Sequence, residues 1–146
     1  MQVKLNVDGR DRQVEVEPRY TLADVLPTHA GCEHGICGAC TVLVDGEPVR
    51  ACLMFAVQAQ GKKIRTVEGL AQGAQLHPLQ RAFMEHHALQ CGYCTPGFLM
   101  LGVSILERRP GISDEELREA LSANLCRCTG YQNILKAVRA AAAKLR

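Results

Sequence analysis

The spacing of eight cysteines constrains this chain of 146 residues more than any other feature of its sequence. The first set follows the pattern Cys-x4-Cys-x2-Cys, with a fourth cysteine after eleven more residues: Cys32, Cys37, Cys40 and Cys52. The second set is a Cys-x2-Cys pair and, about thirty residues later, a Cys-x-Cys pair: Cys91, Cys94, Cys126 and Cys128. Because four cysteines suffice to hold one metal centre, the spacing predicts two separate metal sites.

The first set has the spacing of plant-type ferredoxins, which bind a [2Fe-2S] cluster. Three of its ligands come from one loop, and Gly31, Gly35 and Gly38 give that loop the freedom to turn the sulfurs inward. The loop also exposes backbone N–H groups, which stabilise the negative charge of thiolates and sulfide. A structural Zn²⁺ site is the alternative, although such sites usually pair two Cys-x2-Cys knuckles.

An even number of cysteines also suggests a disulfide framework. The segment Met1–Val7 shows no basic residues leading into an apolar run, so we expect no secretory signal and a reducing, cytoplasmic location. Cys126 and Cys128 are separated by a single residue, which is too close for easy bridging. Metal binding is therefore the preferred interpretation of the cysteines.

Hydrophobic periodicity divides the chain into a β part and a helical part. Strict alternation on both sides of Asp8-Gly9 predicts a hairpin, and a second hairpin around Asp45-Gly46 returns the chain towards the cysteine loop. A short helix within 21–26 and a strand within 63–67 are also expected, followed by a linker. From Pro78 onward the apolar spacing predicts four helices, and Ser113–Glu116 is a capping box that opens the third. The fold class is α+β.

Composition argues against two other classes of protein. The 17 basic and 15 acidic residues are interspersed and give a net charge of +2, and the chain has no tryptophan, so nucleic acid is not an expected partner. The most apolar stretch, Phe98–Leu106, is about half as long as the ~18 residues of a membrane span. We therefore predict a buried helix there and no transmembrane segment.

Both pairs of the second set lie at the ends of predicted helices, within the segments Gln90–Gly97 (QCGYCTPG) and Asn124–Tyr131 (NLCRCTGY). The first loop is GCEHGICGACT over Gly31–Thr41. These three motifs, in this order, resemble the small [2Fe-2S] subunit of molybdenum hydroxylases of the xanthine oxidase family, like the small subunit of carbon monoxide dehydrogenase. The resemblance covers nearly the whole chain.

The resemblance implies an N-terminal β-grasp, plant-type ferredoxin domain over residues 1–74 and a C-terminal four-helix bundle over residues 75–146. Each would hold one [2Fe-2S] cluster. It further implies that the second set lies nearest a molybdopterin cofactor, that the first set lies nearer FAD, and that electrons pass from molybdenum through both clusters to flavin. Gln90 and Cys128 match family positions beside the pterin and are expected to contact it.

The same resemblance implies that other chains carry the remaining cofactors. A larger subunit would bind molybdopterin as its cytosine dinucleotide and a medium subunit would bind FAD, in a heterotrimer or a dimer of heterotrimers. With no nucleophile or general base in evidence, this chain alone would transfer electrons and perform no substrate chemistry. The alternative is a free-standing ferredoxin, which would be expected to have a strongly acidic surface, whereas this chain has a net charge of +2. The segment between Leu26 and Cys32 is shorter than the family pattern, so the local contacts there are expected to differ.

Overall fold

The computed structural model describes residues 1–145. Along these residues the strands are β1 (Gln2–Val7), β2 (Arg10–Glu15), β3 (Thr41–Val44), β4 (Glu47–Arg50) and β5 (Lys63–Arg65). The helices are α1 (Leu22–Val25), α2 (Pro78–Glu85), α3 (Thr95–Arg108), α4 (Asp114–Leu121) and α5 (Gln132–Lys144). Two short 3-10 helices, Ala56–Ala59 and Val67–Gly69, flank β5. The mixed architecture confirms the predicted α+β class.

The strands form one mixed sheet in the order β2-β1-β5-β3-β4. β1 pairs parallel with β5, and the other neighbours are antiparallel. Both hairpins turn on two residues with positive φ, 51° and 77° at Asp8-Gly9 and 51° and 85° at Asp45-Gly46. Asp-Gly suits this turn because both central positions require φ above zero. The two predicted hairpins are therefore confirmed.

Two hydrophobic cores result from the two kinds of periodicity. The alternating Val3, Leu5 and Val7 of β1 are buried in a core on the sheet, as their spacing requires. The second core is helical, and it also includes Leu43 of β3 and Leu70 from the segment before α2. The sheet thus contributes side chains to both cores.

Helix α3 is the element that joins the two parts. All of its residues from Gly97 to Leu106 are buried, because one side packs on β3 and β4 and the other on α2 and α4. This confirms the buried helix predicted at the most apolar stretch. Within residues 1–145, no helix combines the length and apolarity needed to cross a membrane.

The other predictions for the helical part agree with the structure. The four helices after Pro78 are present, and the α4 capping box forms, with Glu116 N–H donating to Ser113 Oγ at 3.3 Å. The segment that leads into the predicted linker is anchored by Asp8, whose carboxylate accepts hydrogen bonds from the Thr66 N–H (2.8 Å) and hydroxyl (2.7 Å).

Candidate iron–sulfur centres

The first candidate centre is built by the loop between α1 and β3. The Cys32 sulfur accepts hydrogen bonds from three backbone N–H groups, those of His34 (3.5 Å), Ile36 (3.3 Å) and Cys37 (3.3 Å). The Cys37 sulfur accepts one from the Ala39 N–H at 3.4 Å. The loop therefore provides the backbone donors that the sequence predicts around a negatively charged centre.

Glycine is needed at two positions of this loop for different reasons. A Cβ on Gly31 would lie 2.8 Å from the Cys37 sulfur, so a side chain there would displace that candidate ligand. Gly38 has φ +77°, and a Cβ on it would collide with the side chain of Asn124, which comes from the helical part. The loop conformation thus depends on a residue far along the chain.

The thiols of the first set differ in their ease of ionisation. Hydrogen bonds from the backbone of Cys37 and then of His34 lower the pKa of Cys32 to about 6. Burial, and after it the adjacent Cys40 thiol, raise the pKa of Cys52 to about 11. The loop therefore favours the thiolate form of Cys32, whereas burial disfavours that of Cys52.

The second candidate centre takes its cysteines from two helix junctions. Cys91 lies between α2 and α3, and Cys94 is the residue immediately before α3. Cys126 and Cys128 lie between α4 and α5. Helix packing therefore brings together two pairs that are far apart in sequence.

Fewer backbone groups support the sulfurs of this second centre. The Tyr93 N–H donates to the Cys91 sulfur at 3.4 Å. Thr129 donates twice to the Cys126 sulfur, from its N–H at 3.4 Å and from its hydroxyl at 3.1 Å. The Cys126 N–H in turn donates to the Tyr131 hydroxyl at 3.1 Å.

Burial and hydrogen bonding again separate the thiols. Burial raises the pKa of Cys94 to about 12, and the neighbouring Cys126 thiol adds to the shift. Burial is the largest single influence on Cys126 and opposes its ionisation, but the hydrogen bonds from Thr129, the Cys128 backbone and the Cys94 thiol together lower the pKa of Cys126. Cys91 and Cys128 are exposed, so this centre lies at the protein surface.

The donor chemistry of both sets fits a [2Fe-2S] cluster, which binds two cysteines on each of its two irons. Thiol neighbours are grouped in pairs, with Cys40 beside Cys52 and Cys94 beside Cys126. Among residues 1–145, no three Cys, His, Asp or Glu side chains converge as ligands of one metal ion. A bound cluster would supply reversible uptake of a single electron.

The two residues expected beside a pterin also lie together. The Gln90 side-chain Nε2 donates to the Cys128 carbonyl at 3.2 Å, which joins the first cysteine pair of the second centre to the second pair. Both residues are exposed on the described chain.

The loops of the two centres are in direct contact. The Leu125 N–H donates to the Cys37 carbonyl at 2.8 Å, so the residue before a cysteine of the second set binds the backbone of a cysteine of the first. Gly97 of α3 packs against the Gly38 carbonyl, and a Cβ at Gly97 would overlap that oxygen. No sequence pattern predicted this contact, because it joins residues of different periodic segments.

The short segment before Cys32 is fastened to the second centre. The Tyr93 hydroxyl donates to the Ala30 carbonyl at 2.6 Å. The rings of His29 and Tyr93 stack with centroids 4.7 Å apart, and His29 Nδ1 lies 2.7 Å from the Tyr93 carbonyl oxygen.

Three polar residues that the sequence did not single out complete the junction: Thr41, Arg50 and Asn124. Thr41 and Asn124 are 3% and 1% exposed, and both hydrogen-bond to the Gly38 carbonyl. Thr41 is the last residue of the first motif that carries the family resemblance and Asn124 is the first residue of the third, and these positions were the available signals. No local sequence pattern indicates a role for Arg50.

Comparison with known protein families matches both halves of the chain. Residues 12–86 match a family described as a 2Fe-2S iron-sulfur cluster binding domain. Residues 66–139 match a family described as a [2Fe-2S] binding domain. The two matches include all eight cysteines.

Curated relatives cover almost the whole chain. The small subunit of nicotine 6-hydroxylase from Paenarthrobacter nicotinovorans is 55% identical over 145 residues, which are 94% of this chain and 87% of the relative. Subunit gamma of caffeine dehydrogenase from Pseudomonas sp. (strain CBB1) is 53% identical, over 94% of this chain and 88% of the relative.

Solved structures agree with these relatives. Quinoline 2-oxidoreductase from Pseudomonas putida 86 contains a chain that superposes with a TM-score of 0.91 at 48% identity, over 98% of this chain and 94% of that one. The aldehyde oxidoreductase of Desulfovibrio desulfuricans superposes with a TM-score of 0.93 at 41% identity, over 99% of this chain but 17% of that longer chain.

Proposed function

This chain belongs to the small iron–sulfur subunits of the xanthine oxidase family of molybdenum hydroxylases and dehydrogenases, and on that premise we propose that it carries electrons from a molybdopterin subunit to an FAD subunit. One [2Fe-2S] cluster would be held by Cys91, Cys94, Cys126 and Cys128, and the other by Cys32, Cys37, Cys40 and Cys52. The chain is a subunit of an oxidoreductase and needs partners for the substrate reaction.

The contact between the two cysteine loops is the observation that carries this proposal. A single hydrogen bond of 2.8 Å, from the Leu125 N–H to the Cys37 carbonyl, connects the backbones of the two ligand sets. Because these two loops are in backbone contact, we expect clusters held by them to lie close enough to exchange one electron at a time. An isolated structural role would not require the two centres to adjoin.

The exposure of the second centre supports its placement against a partner subunit. Cys91 and Cys128 are exposed, whereas none of the four cysteines of the first set is exposed. We therefore place the molybdopterin subunit, with its pterin as the cytosine dinucleotide, against Gln90 and Cys128. The medium, FAD-binding subunit would receive electrons from the first centre, in a heterotrimer or a dimer of heterotrimers.

Two further parts of the proposal concern the chain itself. The domain boundary is placed at residues 74 and 75, between the sheet and α2, where the two family matches overlap. The complex is placed in the cytoplasm, because all eight cysteines are unbridged and a reducing compartment keeps them available to iron.

The route is tested by removing one cluster from the assembled complex. A panel of nicotine, caffeine, quinoline and benzaldehyde first identifies a compound that reduces the molybdenum of the wild-type complex. With that reductant, Cys37→Ala and Cys126→Ala complexes should still show reduced molybdenum by electron paramagnetic resonance, while FAD reduction is abolished. FAD reduced at the wild-type rate in a complex shown to lack one cluster would rule out the route.

The pterin contact requires a separate experiment. Gln90→Ala should lower the molybdopterin content and turnover of the complex, because it removes a polar group from the proposed subunit interface. Gln75→Ala is the matched control, since Gln75 is exposed and lies on the segment before α2. Undiminished assembly, cofactor content and turnover in Gln90→Ala would count against the contact.

A further inference from the structure

Arg50, the last residue of β4, lies at the junction of the two centres and binds only neutral groups there. Its guanidinium donates to the Gly35 carbonyl (3.4 Å), the Thr41 hydroxyl (2.9 Å) and the Ala123 carbonyl (2.5 Å). None of the ion pairs formed within residues 1–145 includes Arg50. The side chain therefore leaves a half-buried positive charge without a carboxylate beside the first cysteine loop.

The first of these contacts acts on a peptide group that faces a cluster ligand. The Gly35 carbonyl, which accepts from Arg50, belongs to the same peptide unit as the Ile36 N–H. That N–H donates to the Cys32 sulfur at 3.3 Å. A donor on the oxygen of a peptide polarises its N–H, so Arg50 strengthens a hydrogen bond to Cys32.

The second contact reaches another such peptide group through Thr41. The Thr41 hydroxyl accepts from Arg50 and donates to the Gly38 carbonyl at 2.7 Å. The Ala39 N–H of that peptide unit donates to the Cys37 sulfur at 3.4 Å. The sulfurs of Cys32 and Cys37 thus each accept a hydrogen bond from a peptide group whose carbonyl oxygen accepts a hydrogen bond on the opposite side.

Asn124 adds a donor to the same carbonyl from the helical part of the chain. Its Nδ2 donates to the Gly38 carbonyl at 3.1 Å, and the side chain is 1% exposed. Because the Gly38 carbonyl oxygen can only accept a hydrogen bond, the side-chain nitrogen of Asn124 must face it. The segment that carries the second centre therefore also acts on the ligands of the first.

We propose that Arg50 is a positioning residue that raises the reduction potential of the first [2Fe-2S] cluster, acting with Thr41 and Asn124 through the 35–36 and 38–39 peptide groups. Hydrogen bonds to sulfur and nearby positive charge both stabilise a cluster that has gained an electron. This inference rests on the proposed function. When the second cluster gives up one electron, the first cluster gains it and later passes it to the flavin.

The test is a redox titration of the full-length chain with both clusters loaded, followed by electron paramagnetic resonance. Variants lacking one ligand of each set assign the two signals. Arg50→Gln should lower the ratio of reduced to oxidised first cluster about tenfold at a fixed potential, a downward shift of about 59 mV for a one-electron couple. The second cluster should shift less. The matched control is Arg12→Gln, which removes the same charge from an exposed position on β2.

A second pair of variants keeps the proposal testable if Arg50→Gln does not load iron. Thr41→Val removes the hydroxyl that links Arg50 to the Gly38 carbonyl and should lower the first potential, whereas Thr41→Ser keeps the hydroxyl and should restore it. Loaded Arg50→Gln with the potentials of Arg12→Gln, or Thr41→Val with those of Thr41→Ser, would overturn the inference. Zinc in place of iron and sulfide in the wild-type chain would instead overturn the proposed function.

Discussion

The first cysteine site takes three of its four cysteines from a single loop, whereas the second takes two from each of two helix junctions. At the first site, backbone N–H groups of the loop itself solvate the Cys32 sulfur. At the second, Thr129 supplies a hydroxyl as well as an N–H to Cys126. One site is therefore specified mainly by local chain geometry and the other by helix packing.

This difference indicates which structural changes would disrupt each site. A local loop keeps its ligands near one another whenever the loop folds, but ligands on separate helices meet only when the bundle is intact. The two sites are nevertheless not independent, because Leu125, Gly97 and Tyr93 connect the helical part to the first loop. Four predictions address how far the comparison holds.

The largest expected effect is the loss of a cluster. Cys52→Ala and Cys91→Ala should each reduce iron and acid-labile sulfide from about four to about two per chain, because each variant removes one ligand of a four-cysteine set. Metal analysis with electron paramagnetic resonance of the reduced protein measures this loss. If Cys91→Ala also emptied the first site, the two sites would be one cooperative unit.

Next in size is the close packing of α3 against the first loop. Gly97→Ala should lower the free energy of unfolding by about 1–3 kcal/mol, since its Cβ would overlap the Gly38 carbonyl. Gly111→Ala, where the new Cβ has open space, should change it by less than about 0.5 kcal/mol. Urea denaturation followed by circular dichroism compares the two. Equal stability of the two variants would show that the first cysteine loop shifts to accommodate the new Cβ on α3.

A smaller effect is expected at the stacked Tyr93. Tyr93→Phe removes the 2.6 Å hydrogen bond to the Ala30 carbonyl and should cost about 1 kcal/mol, with faster amide exchange around residues 29–31. Tyr131→Phe is the control, because its hydroxyl accepts from Cys126 within the second site. Its effect on exchange should be confined to that site. Identical exchange profiles for both variants would contradict the separate roles.

The smallest effect is a pH dependence at the start of the helical part. His77 Nδ1 accepts the Leu79 N–H at 3.1 Å at the start of α2, and burial lowers the pKa of His77 below 6.5. Glu107 opposes this shift and Arg65 adds to it. Because the folded state favours neutral His77, its stabilising contribution is complete above pH 6.5 and is lost as pH falls through the lowered pKa.

His77→Asn tests this dependence, since asparagine can cap the helix without titrating. Unfolding measured from pH 7.5 to pH 5 should show a flatter stability profile for His77→Asn than for the wild type. His87→Asn is the control at an exposed histidine and should retain the wild-type profile. A wild-type slope in His77→Asn would assign the pH dependence to another group.

Much of the fold could be predicted from local patterns. Asp8-Gly9 and Asp45-Gly46 determine the hairpins, because each dipeptide supplies the two positive φ angles of its turn. The apolar spacing after Pro78 predicts four helices, and Ser113 with Glu116 marks where one begins. Where the prediction was less accurate, as in a strand over 63–67 that ends at Arg65, tertiary pairing decided the boundary.

The sequence by itself determined the two cysteine sets, the glycines that open the first loop and the order of hairpins and helices, because these depend on spacings of a few residues. Only the tertiary structure decided that Leu125 meets Cys37, that Arg50 spans both loops and that Asn124 binds the Gly38 carbonyl 86 residues away. Such hydrogen bonds form between segments whose periodicities are independent. They leave no pattern along the chain, and they arise only when packing on α3 brings the two centres together.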